Sequence, residues 1–266
     1  MSKEIVRVDP DKKISLDTIQ TRVANIDKDD ARKIMSKMLE KLHTLQECLY
    51  AEHKQSLLVI VQAMDTGGKD GAIQAIFTGI NPAGVQVTNF KAPSPEELSH
   101  DFLWRVHKTV PQKGLIGVWN RSHYEDVLIV RVHDIIDKKT CAQRYEDINA
   151  FEKTLSNNGV RILKFFLHIS KDEQKRRLQA RLDDPGKYWK FNTGDLAERE
   201  LWDKYQTAYE NAINACSTKW APWYIVPADY KWHRNIVIAQ KIIETLEQMK
   251  PSFPEANFDP STVVIK

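Results

Sequence analysis

The chain has 266 residues, of which 42% are hydrophobic and 28% are charged. This balance is typical of a globular protein with a sizeable core and excludes a disordered chain. The formal net charge of +3 is too small to indicate nucleic-acid binding, although it allows a local basic site for an anionic substrate. No apolar run approaches the roughly 20 residues of a membrane-spanning helix, so we expect neither nucleic acid nor membrane as a partner.

The cysteines bear on the redox compartment. Cys48, Cys141 and Cys216 are far apart and odd in number. A disulfide framework or a zinc site usually shows closely paired cysteines, such as C-x-x-C, and this sequence has none. The first residues also lack the apolar segment of a signal peptide. These features predict a cytoplasmic protein.

Predicted strands and helices alternate along most of the chain. Residues 1–27 are polar and lack periodicity, which predicts an extended N-terminal arm, and the proline-containing residues 251–266 predict an irregular tail. Residues 28–250 form one predicted domain between them. Its strands are predicted at 57–61, 85–90, 115–119, 162–168 and 223–226. Its helices are predicted from residue 28 and at 72–77, 95–107, 145–155, 171–182, 196–216 and 235–249.

The alternation of strands with helices predicts the fold class. Such a pattern is typical of an open parallel sheet with helices on both faces, so we predict a three-layer α/β/α domain with a five-stranded parallel sheet. The first helix carries an apolar stripe at steps of three and four residues, formed by Met35, Met38, Leu42, Leu45 and Leu49. This stripe either covers the sheet of its own domain or forms a dimer interface, and we expect the first.

The strongest functional signal is the segment from Ala63 to Gly71, between a predicted strand and a predicted helix. It resembles the phosphate-loop pattern G-x-x-x-x-G-K-[ST], although Ala63 replaces the first glycine and Asp70 replaces the Ser or Thr. Glycines let backbone N–H groups converge on phosphate oxygens, and the helix N-terminus adds a partial positive charge. We therefore predict phosphate binding by Thr66, Gly67, Gly68, Lys69, Asp70 and Gly71.

Two carboxylates of this loop indicate a metal. Asp65 and Asp70 would lie beside bound phosphate, and like charges repel unless a cation lies between them. We therefore expect Mg²⁺, or Mn²⁺ in its place, with Asp65 as the metal ligand. Asp70 could instead cap the following helix, and its role stays open.

A second signal follows the third predicted strand, where Asn120 and Arg121 precede Glu125. The planar guanidinium of Arg121 suits phosphate oxygens, and Glu125 could hold a metal or orient Arg121. Asn120 is a candidate for positioning the nucleotide, as is Arg121. We expect His123 to be packed or hydrogen-bonded rather than a general base, because phosphoryl transfer needs little covalent help. The candidate catalytic residues are Asp65, Lys69, Arg121 and Glu125.

A third signal is the basic helix predicted at 171–182. Arg177 and Arg181 are four residues apart and share one face of it, and Ser170 with Glu173 predicts a capping box at its start. Taken alone, this pattern is typical of a solvated basic face. Next to a phosphate loop, it is also where related kinases place a lid.

We therefore predict a helical lid at about residues 171–195, in a P-loop kinase-like fold. The segment 183–195 contains Pro185 and Gly186, together with Lys187 and Lys190, and these residues favour a mobile insert. Lys190 is a further candidate for positioning the nucleotide. The predicted phosphate contacts of the lid are Arg176, Arg177 and Arg181.

Together, these segments resemble the polyphosphate kinase 2 family. The resemblance is carried by residues 63–71, 120–127 and 163–181, with shorter matches at 201–205 and 221–223, and it extends over about residues 30–248. It implies a thymidylate-kinase-like domain that forms a homodimer or homotetramer. It also implies inorganic polyphosphate as phosphoryl donor and a nucleoside phosphate as acceptor. The positions that match metal and phosphate contacts of the family are Asp65, Lys69, Arg121, Glu125, Arg176, Arg177 and Arg181.

Two features point to a subgroup. Asn120 stands where many members that act on nucleoside diphosphates carry an aspartate, and Glu125-Asp126-Val127-Leu128 follow the tyrosine of this segment. The resemblance thereby implies the subgroup that phosphorylates both AMP and ADP. The predicted reaction is magnesium-dependent, in-line transfer of the terminal phosphoryl group of polyphosphate, which would serve ATP regeneration. Two alternatives share parts of this sequence pattern. They are an ATP-dependent nucleoside monophosphate kinase of the thymidylate or adenylate kinase type, and a non-catalytic sensor of phosphate chains.

Overall fold

The structure, a computed structural model, describes residues 5–23 and 26–265. Six positions of the predicted arm and one of the tail therefore lie outside the described residues. The described chain contains one sheet of six strands. The strands are β1 (Val6–Arg7), β2 (Ser56–Ala63), β3 (Val85–Asn89), β4 (Ile116–Asn120), β5 (Val160–His168) and β6 (Trp223–Pro227).

The sheet has one strand more than the sequence predicts. Its order is β1-β6-β5-β2-β4-β3, and the five predicted strands, β2 to β6, run parallel. The sixth strand, β1, comes from the predicted arm and pairs antiparallel with β6. Two residues in a polar segment give no periodic signal, which is why this strand was not predicted.

Ten helices are described between and after these strands. They are α1 (Lys28–Glu52), α2 (Lys69–Phe77), α3 (Pro95–Leu98), α4 (Trp104–His107), α5 (Ile129–Val132), α6 (Lys138–Asn157), α7 (Lys171–Leu182), α8 (Gly194–Glu200), α9 (Trp202–Cys216) and α10 (Lys231–Met249). Short 3-10 turns lie among them, including one over Pro185–Lys190 in the predicted lid. Not one of the described helices is long and apolar enough to cross a membrane.

Two predicted helices are interrupted. The helix predicted at 95–107 is divided into α3 and α4, because the Asp101 carboxylate accepts from the Leu103 N–H at 2.9 Å and forms a local turn. The helix predicted at 196–216 is divided at Leu201, which ends α8 and precedes α9 with ψ of 16°. Local turns of this kind leave the apolar periodicity nearly unchanged, so the sequence pattern does not reveal them.

The core covers both faces of the sheet. All eight residues of β2 are buried, as expected for a parallel strand with helices on either side. The apolar stripe of α1 belongs to this core, since Leu42 and Leu49 are fully buried and α1 packs against α10. The stripe therefore packs within its own domain, as predicted, although the main contact of α1 is with α10 rather than with the sheet. Helices α6 and α9 form a second packed pair.

The strand order identifies where a ligand would bind. Strand β2 lies between β4 and β5. After β2, the chain places β3 and β4 on one side of it and then β5 and β6 on the other side, so the strand order reverses at β2. In open α/β sheets, ligands bind beyond the carboxyl ends of the strands at such a reversal. The segment 63–71 follows the carboxyl end of β2 and lies at this point.

Candidate active site

The phosphate loop is a tight turn between β2 and α2. Thr66 and Gly68 both have positive φ, at 59° and 94°, and Gly68 adopts this conformation without the steric cost of a side chain. A Cβ on Gly67 would collide with the Cβ of Ala63. No side chain of the described residues caps α2, so the N–H groups of its first turn remain available to an anion.

Lys69 begins α2 and lies inside this turn. Its Nζ donates to the carbonyl oxygen of Ala63 at 3.0 Å, and the Tyr209 hydroxyl donates to the same oxygen at 2.9 Å. Burial, together with the charge of Arg121, lowers the pKa of Lys69. A phosphate that binds beside this ammonium group adds negative charge and favours the charged form of Lys69.

Arg121 brings the second signal to the phosphate loop. Its Nη2 lies 3.3 Å from Asp65 Oδ1. Burial opposes its charge, but the carboxylates of Glu125 and Asp65 outweigh that effect and raise the pKa of Arg121. Burial raises the pKa of Glu125 against the opposing charges of Arg121 and Lys69. The structure thus brings the four candidate catalytic residues into one electrostatic cluster.

The backbone at Arg121 is strained. Its φ is 60°, an uncommon conformation for a residue with a side chain, with a cost on the order of 1–3 kcal/mol. The Arg121 N–H donates to the Val61 carbonyl oxygen at 3.1 Å, which fixes the turn to β2. Strain of this kind concentrates at functional sites, where the surrounding structure holds a side chain in a required direction.

Asn120 is fixed to the start of α2. Its Nδ2 donates to Asp70 Oδ1 at 2.6 Å and to Asn89 Oδ1 at 2.8 Å. Asp70, whose role the sequence left open, therefore accepts a hydrogen bond from Asn120, and it does not cap α2. An aspartate at position 120 would face Asp70 with a like charge, so the amide of Asn120 suits this pair.

Arg177 lies under the phosphate loop. It is only 7% exposed, and its Nη1 donates to the carbonyl oxygens of Thr66 at 3.1 Å and Gly67 at 2.9 Å. Its Nη2 donates to the Ala228 carbonyl oxygen at 2.6 Å, just after β6. Arg177 therefore connects the loop to the end of β6, whereas Arg176 is largely exposed on the same helix.

The capping box predicted at the start of α7 is only half formed. Ser170 Oγ accepts from the Glu173 N–H at 3.1 Å, as predicted. The Glu173 carboxylate does not return to Ser170, because it binds Arg176 and Arg177 at 2.6 Å each. The Ser170 N–H donates to Asp229 instead, at 2.9 Å. Two guanidinium groups are stronger partners for a carboxylate than one backbone N–H.

The segment predicted as a lid consists of α7 and the residues that follow it. Arg181 Nη1 donates to the Lys190 carbonyl oxygen at 2.9 Å and lies 3.1 Å from Asp195 Oδ2. Trp189 at the tip of this segment is 79% exposed. Residues of this segment and of the phosphate loop line a cavity of about 660 Å³. The predicted site residues that line it are Asp65, Thr66, Gly67, Gly68, Lys69, Asp70, Gly71, Asn120, Arg121, Arg176, Arg177, Arg181 and Lys190.

Several residues that line this cavity were missed by the sequence analysis, including three on one helix. Lys231, Arg234 and Asn235 come from the first turns of α10, which starts before the predicted residue 235. Arg234 is 1% exposed. The sequence does contain a signal for them. Basic residues at a helix N-terminus, such as Lys231 and Arg234 in α10, are repelled by the positive end of the helix dipole, so their presence there indicates a bound anion.

A smaller cavity of about 250 Å³ adjoins the other side of Asp65 and Arg121. It is lined by further carboxylates, which are Glu125, Asp195 and Glu198. Within the described ranges, no group of three or more His, Cys, Asp or Glu side chains is arranged to hold a metal ion. The donor set near Asp65 fits Mg²⁺ only in the mode where one or two carboxylates share the ion with substrate phosphates and water.

Comparison with known proteins identifies the family. The family model of Polyphosphate kinase 2 matches residues 25–254. The chain is 48% identical over 263 residues to the AMP/ADP-polyphosphate phosphotransferase of Meiothermus ruber, covering 98% of each protein. It is 45% identical over 263 residues to the ADP-polyphosphate phosphotransferase of Rhodopseudomonas palustris, covering 94% of this chain and 91% of the relative.

A solved structure agrees with this match. The crystal structure of polyphosphate kinase 2 from Arthrobacter aurescens TC1 superimposes with a TM-score of 0.88 at 46% sequence identity, covering 96% of this chain and 88% of that one. The match to the family model, the sequence identities and the shared fold extend over nearly the whole chain. The chain therefore belongs to the polyphosphate kinase 2 family.

Proposed function

We propose that this protein transfers the terminal phosphoryl group of inorganic polyphosphate to AMP and ADP. One observation carries the proposal: the lining of the larger cavity has ten Lys or Arg side chains but only three acidic ones, Asp65, Asp70 and Asp195. A lining of this composition suits a polyanion better than a nucleoside base. The substrates named for the Meiothermus ruber relative support the choice of AMP and ADP.

The chain's own residues supply positioning and electrostatics. The phosphoryl group to be transferred lies over Gly67, Gly68 and Lys69, where backbone N–H groups and the ammonium group offset its charge. Arg121 steadies the acceptor phosphate for in-line attack, and Asp65 and Glu125 hold Arg121 in place. Bringing two polyanions together is the main barrier to such a reaction, so fixed positive groups account for much of the catalysis.

Asp65 is the proposed ligand of Mg²⁺, for which Mn²⁺ could substitute. Its side chain is 31% exposed, and one of its oxygens is shared with Arg121. When bound, the metal neutralises charge on the phosphates. We expect the protein to bind the metal weakly without phosphates, since one carboxylate cannot satisfy its coordination.

Replacement of Lys69 tests the site. Lys69→Ala should lower turnover by about 10²- to 10³-fold, because a preorganised cation is removed from the transferred group. Its thermal unfolding midpoint should stay close to that of the parent protein, since the ammonium is buried at a cost. Lys139→Ala, at an exposed position of α6, is the matched control. Near-normal turnover in Lys69→Ala would contradict the proposed site.

A donor test separates the alternatives. AMP, ADP, GMP and GDP should each be offered with either polyphosphate or ATP as sole donor, in the presence of Mg²⁺. Transfer from polyphosphate to AMP and ADP is the expected result. Transfer to AMP from ATP alone would instead indicate a nucleoside monophosphate kinase, and binding of polyphosphate without any transfer would indicate a sensor.

We also propose a cytoplasmic homodimer or homotetramer, with residues 28–250 as the catalytic domain, 1–27 as an arm, 251–266 as a tail and about 171–195 as the lid. The three unpaired cysteines support the location, since disulfides are rare in the cytosol, and the family resemblance supports the assembly. Light scattering of the purified protein measures its mass in solution. A mass of 30.8 kDa, that of one chain, would contradict the proposed assembly.

A further inference from the structure

Arg234 is a buried cation whose charge is not compensated. Its side chain is 1% exposed, and its Nε and Nη2 both donate to the neutral amide oxygen of Asn235, at 3.0 and 2.8 Å. Its Nη1 is buried without a hydrogen-bond partner among the described residues. Burial and the nearby charge of Arg177 lower the pKa of Arg234 to about 9. A buried charge of this kind destabilises the fold unless a bound anion compensates it.

The guanidinium is placed against the phosphate loop. A Cβ on Gly68 would collide with Arg234 Nη1, and a Cβ on Gly71 would lie 3.8 Å from its Nη2. The glycines that start α2 therefore also make room for this guanidinium group. Arg234 thus lies at the wall of the larger cavity, next to the position of the transferred phosphoryl group.

The start of α10 adds to this positive corner. No side chain in the described part of the chain caps α10, so N–H groups of its first turn lack intrahelical and side-chain partners. Lys231 lies in this turn and lines the cavity. Burial and the charges of Arg177, Arg234 and Arg176 lower its pKa. Two helix N-termini, α2 and α10, and several cations therefore converge on one part of the cavity.

The sheet order tells which substrate this corner would bind. Strand β4, which positions Arg121 for the acceptor, lies on one side of β2, whereas β6, which leads into α10, lies on the other. A donor phosphate at the loop has the acceptor on the β4 side. The rest of the donor chain must then extend toward β6 and α10, since the transfer is in line.

We propose that Arg234 and Lys231 form an anion subsite for the internal phosphates of the donor, adjacent to the phosphoryl group held by Lys69. This inference rests on the proposed function, because it assumes a phosphate chain as donor. A bound phosphate supplies the partner that Arg234 Nη1 lacks in the free protein. The uncompensated charge of Arg234 thus lowers the stability of the free protein, and the same charge raises its affinity for the donor.

Arg234→Met tests the subsite, because methionine fills similar space without the charge. We expect the variant to unfold at a temperature no lower than the parent protein and to bind tripolyphosphate at least tenfold more weakly by calorimetry. The KM for polyphosphate should rise, while the KM for ADP should stay nearly unchanged. Arg161→Met is the matched control, since Arg161 is exposed near the start of β5, at the opposite end of the sheet.

The outcomes distinguish the subsite from a structural role. Unfolding at a lower temperature with unchanged tripolyphosphate affinity would show that Arg234 only supports the fold and would overturn the proposal. If Arg234→Met does not fold, Lys231→Met, at an exposed position, should still weaken tripolyphosphate binding. Unchanged binding in that variant would overturn the proposal. Failure of the unchanged protein to bind tripolyphosphate or to use polyphosphate would instead reject the proposed function.

Discussion

Lys164 on β5 and Arg234 on α10 are both buried cations, yet their surroundings differ. The Nζ of Lys164 donates to Glu152 Oε2 at 2.6 Å, to the Tyr124 hydroxyl at 2.8 Å and to the Cys216 carbonyl oxygen at 2.7 Å. All three of its donors therefore have acceptors, and one acceptor is charged. Arg234 has one neutral acceptor for two of its nitrogen atoms and none for the third within the described chain.

The difference separates structural charge from binding charge. The acceptors of Lys164 belong to α6, α9 and the turn after β4, so this cation joins three elements beneath the turn that carries Arg121. His123 takes part as well, at 3.3 Å from Glu152 Oε1, and is packed and hydrogen-bonded as the sequence predicted. A buried cation that is paired with a carboxylate of the protein needs no ligand, whereas a buried cation without an anionic partner is stabilised when an anionic ligand binds.

Removal of Lys164 should have the largest effect on stability. Lys164→Met leaves the Glu152 carboxylate buried without its counterion, and we expect the free energy of unfolding to fall by about 3–5 kcal/mol. Urea denaturation followed by circular dichroism measures this loss. A loss below about 1 kcal/mol would show that the two buried cations do not differ in the way described, since Arg234→Met is expected to cost no stability.

The loss in Lys164→Met should depend on pH. In the parent protein burial opposes ionisation of Glu152, but the charges of Lys164 and His123 hold its pKa below the ordinary 4.5. This contribution is present above pH 4.5 and is lost below it. Without Lys164, burial raises the pKa of Glu152, so the penalty develops as the pH rises above 4.5. The stability difference should therefore shrink between pH 7 and pH 5, and a constant difference would contradict the assignment.

Replacing both partners should have a smaller effect. In Lys164→Met/Glu152→Leu no buried charge remains without a partner, and the remaining loss should be about 1–3 kcal/mol, because Tyr124 and His123 lose an acceptor. The same urea titration measures it. A double variant that is as unstable as Lys164→Met alone would show that the loss comes from packing rather than from an unpaired carboxylate.

Loss of an exposed ion pair should have the smallest effect on stability. Lys41 on α1 pairs with Glu247 on α10, with both side chains about half exposed. Lys41→Ala should lower the free energy of unfolding by less than about 1 kcal/mol, because solvent screens the pair. A larger loss by the same titration would show that pairing with a carboxylate, rather than burial, determines how much a cation contributes to the free energy of unfolding.

Local patterns predicted the parts of the site that depend on neighbouring residues. The phosphate loop is predicted because a strand, two glycines and a lysine follow one another within residues 57–69, and Arg121 is predicted because it directly follows a strand. Arg234 was not found, since it reaches Gly68 only through the packing of α10 on α2. Sequence spacing carries no information on such a contact between distant segments.

Arg177 was predicted from local spacing, but its contacts were not. Helical spacing correctly placed it on α7, four residues from Arg181, but spacing cannot tell which arginine faces a ligand. The guanidinium of Arg177 donates to the carbonyl oxygens of Thr66, Gly67 and Ala228, and helical spacing reveals none of these contacts. The start of α10 and the strand β1 likewise depend on tertiary contacts rather than on periodicity.

The short strand β1 has a practical consequence for handling the protein. It pairs Val6 with Ile225 and Arg7 with Tyr224, and the Val8 N–H donates to the Trp223 carbonyl oxygen at 2.9 Å. Without it, the apolar strand β6 would present open backbone groups at the margin of the sheet, which invites pairing with another molecule and aggregation. Shortening the N-terminus therefore endangers solubility, whereas residues 251–265, nearly all exposed, offer a safer place to attach a tag or a second protein.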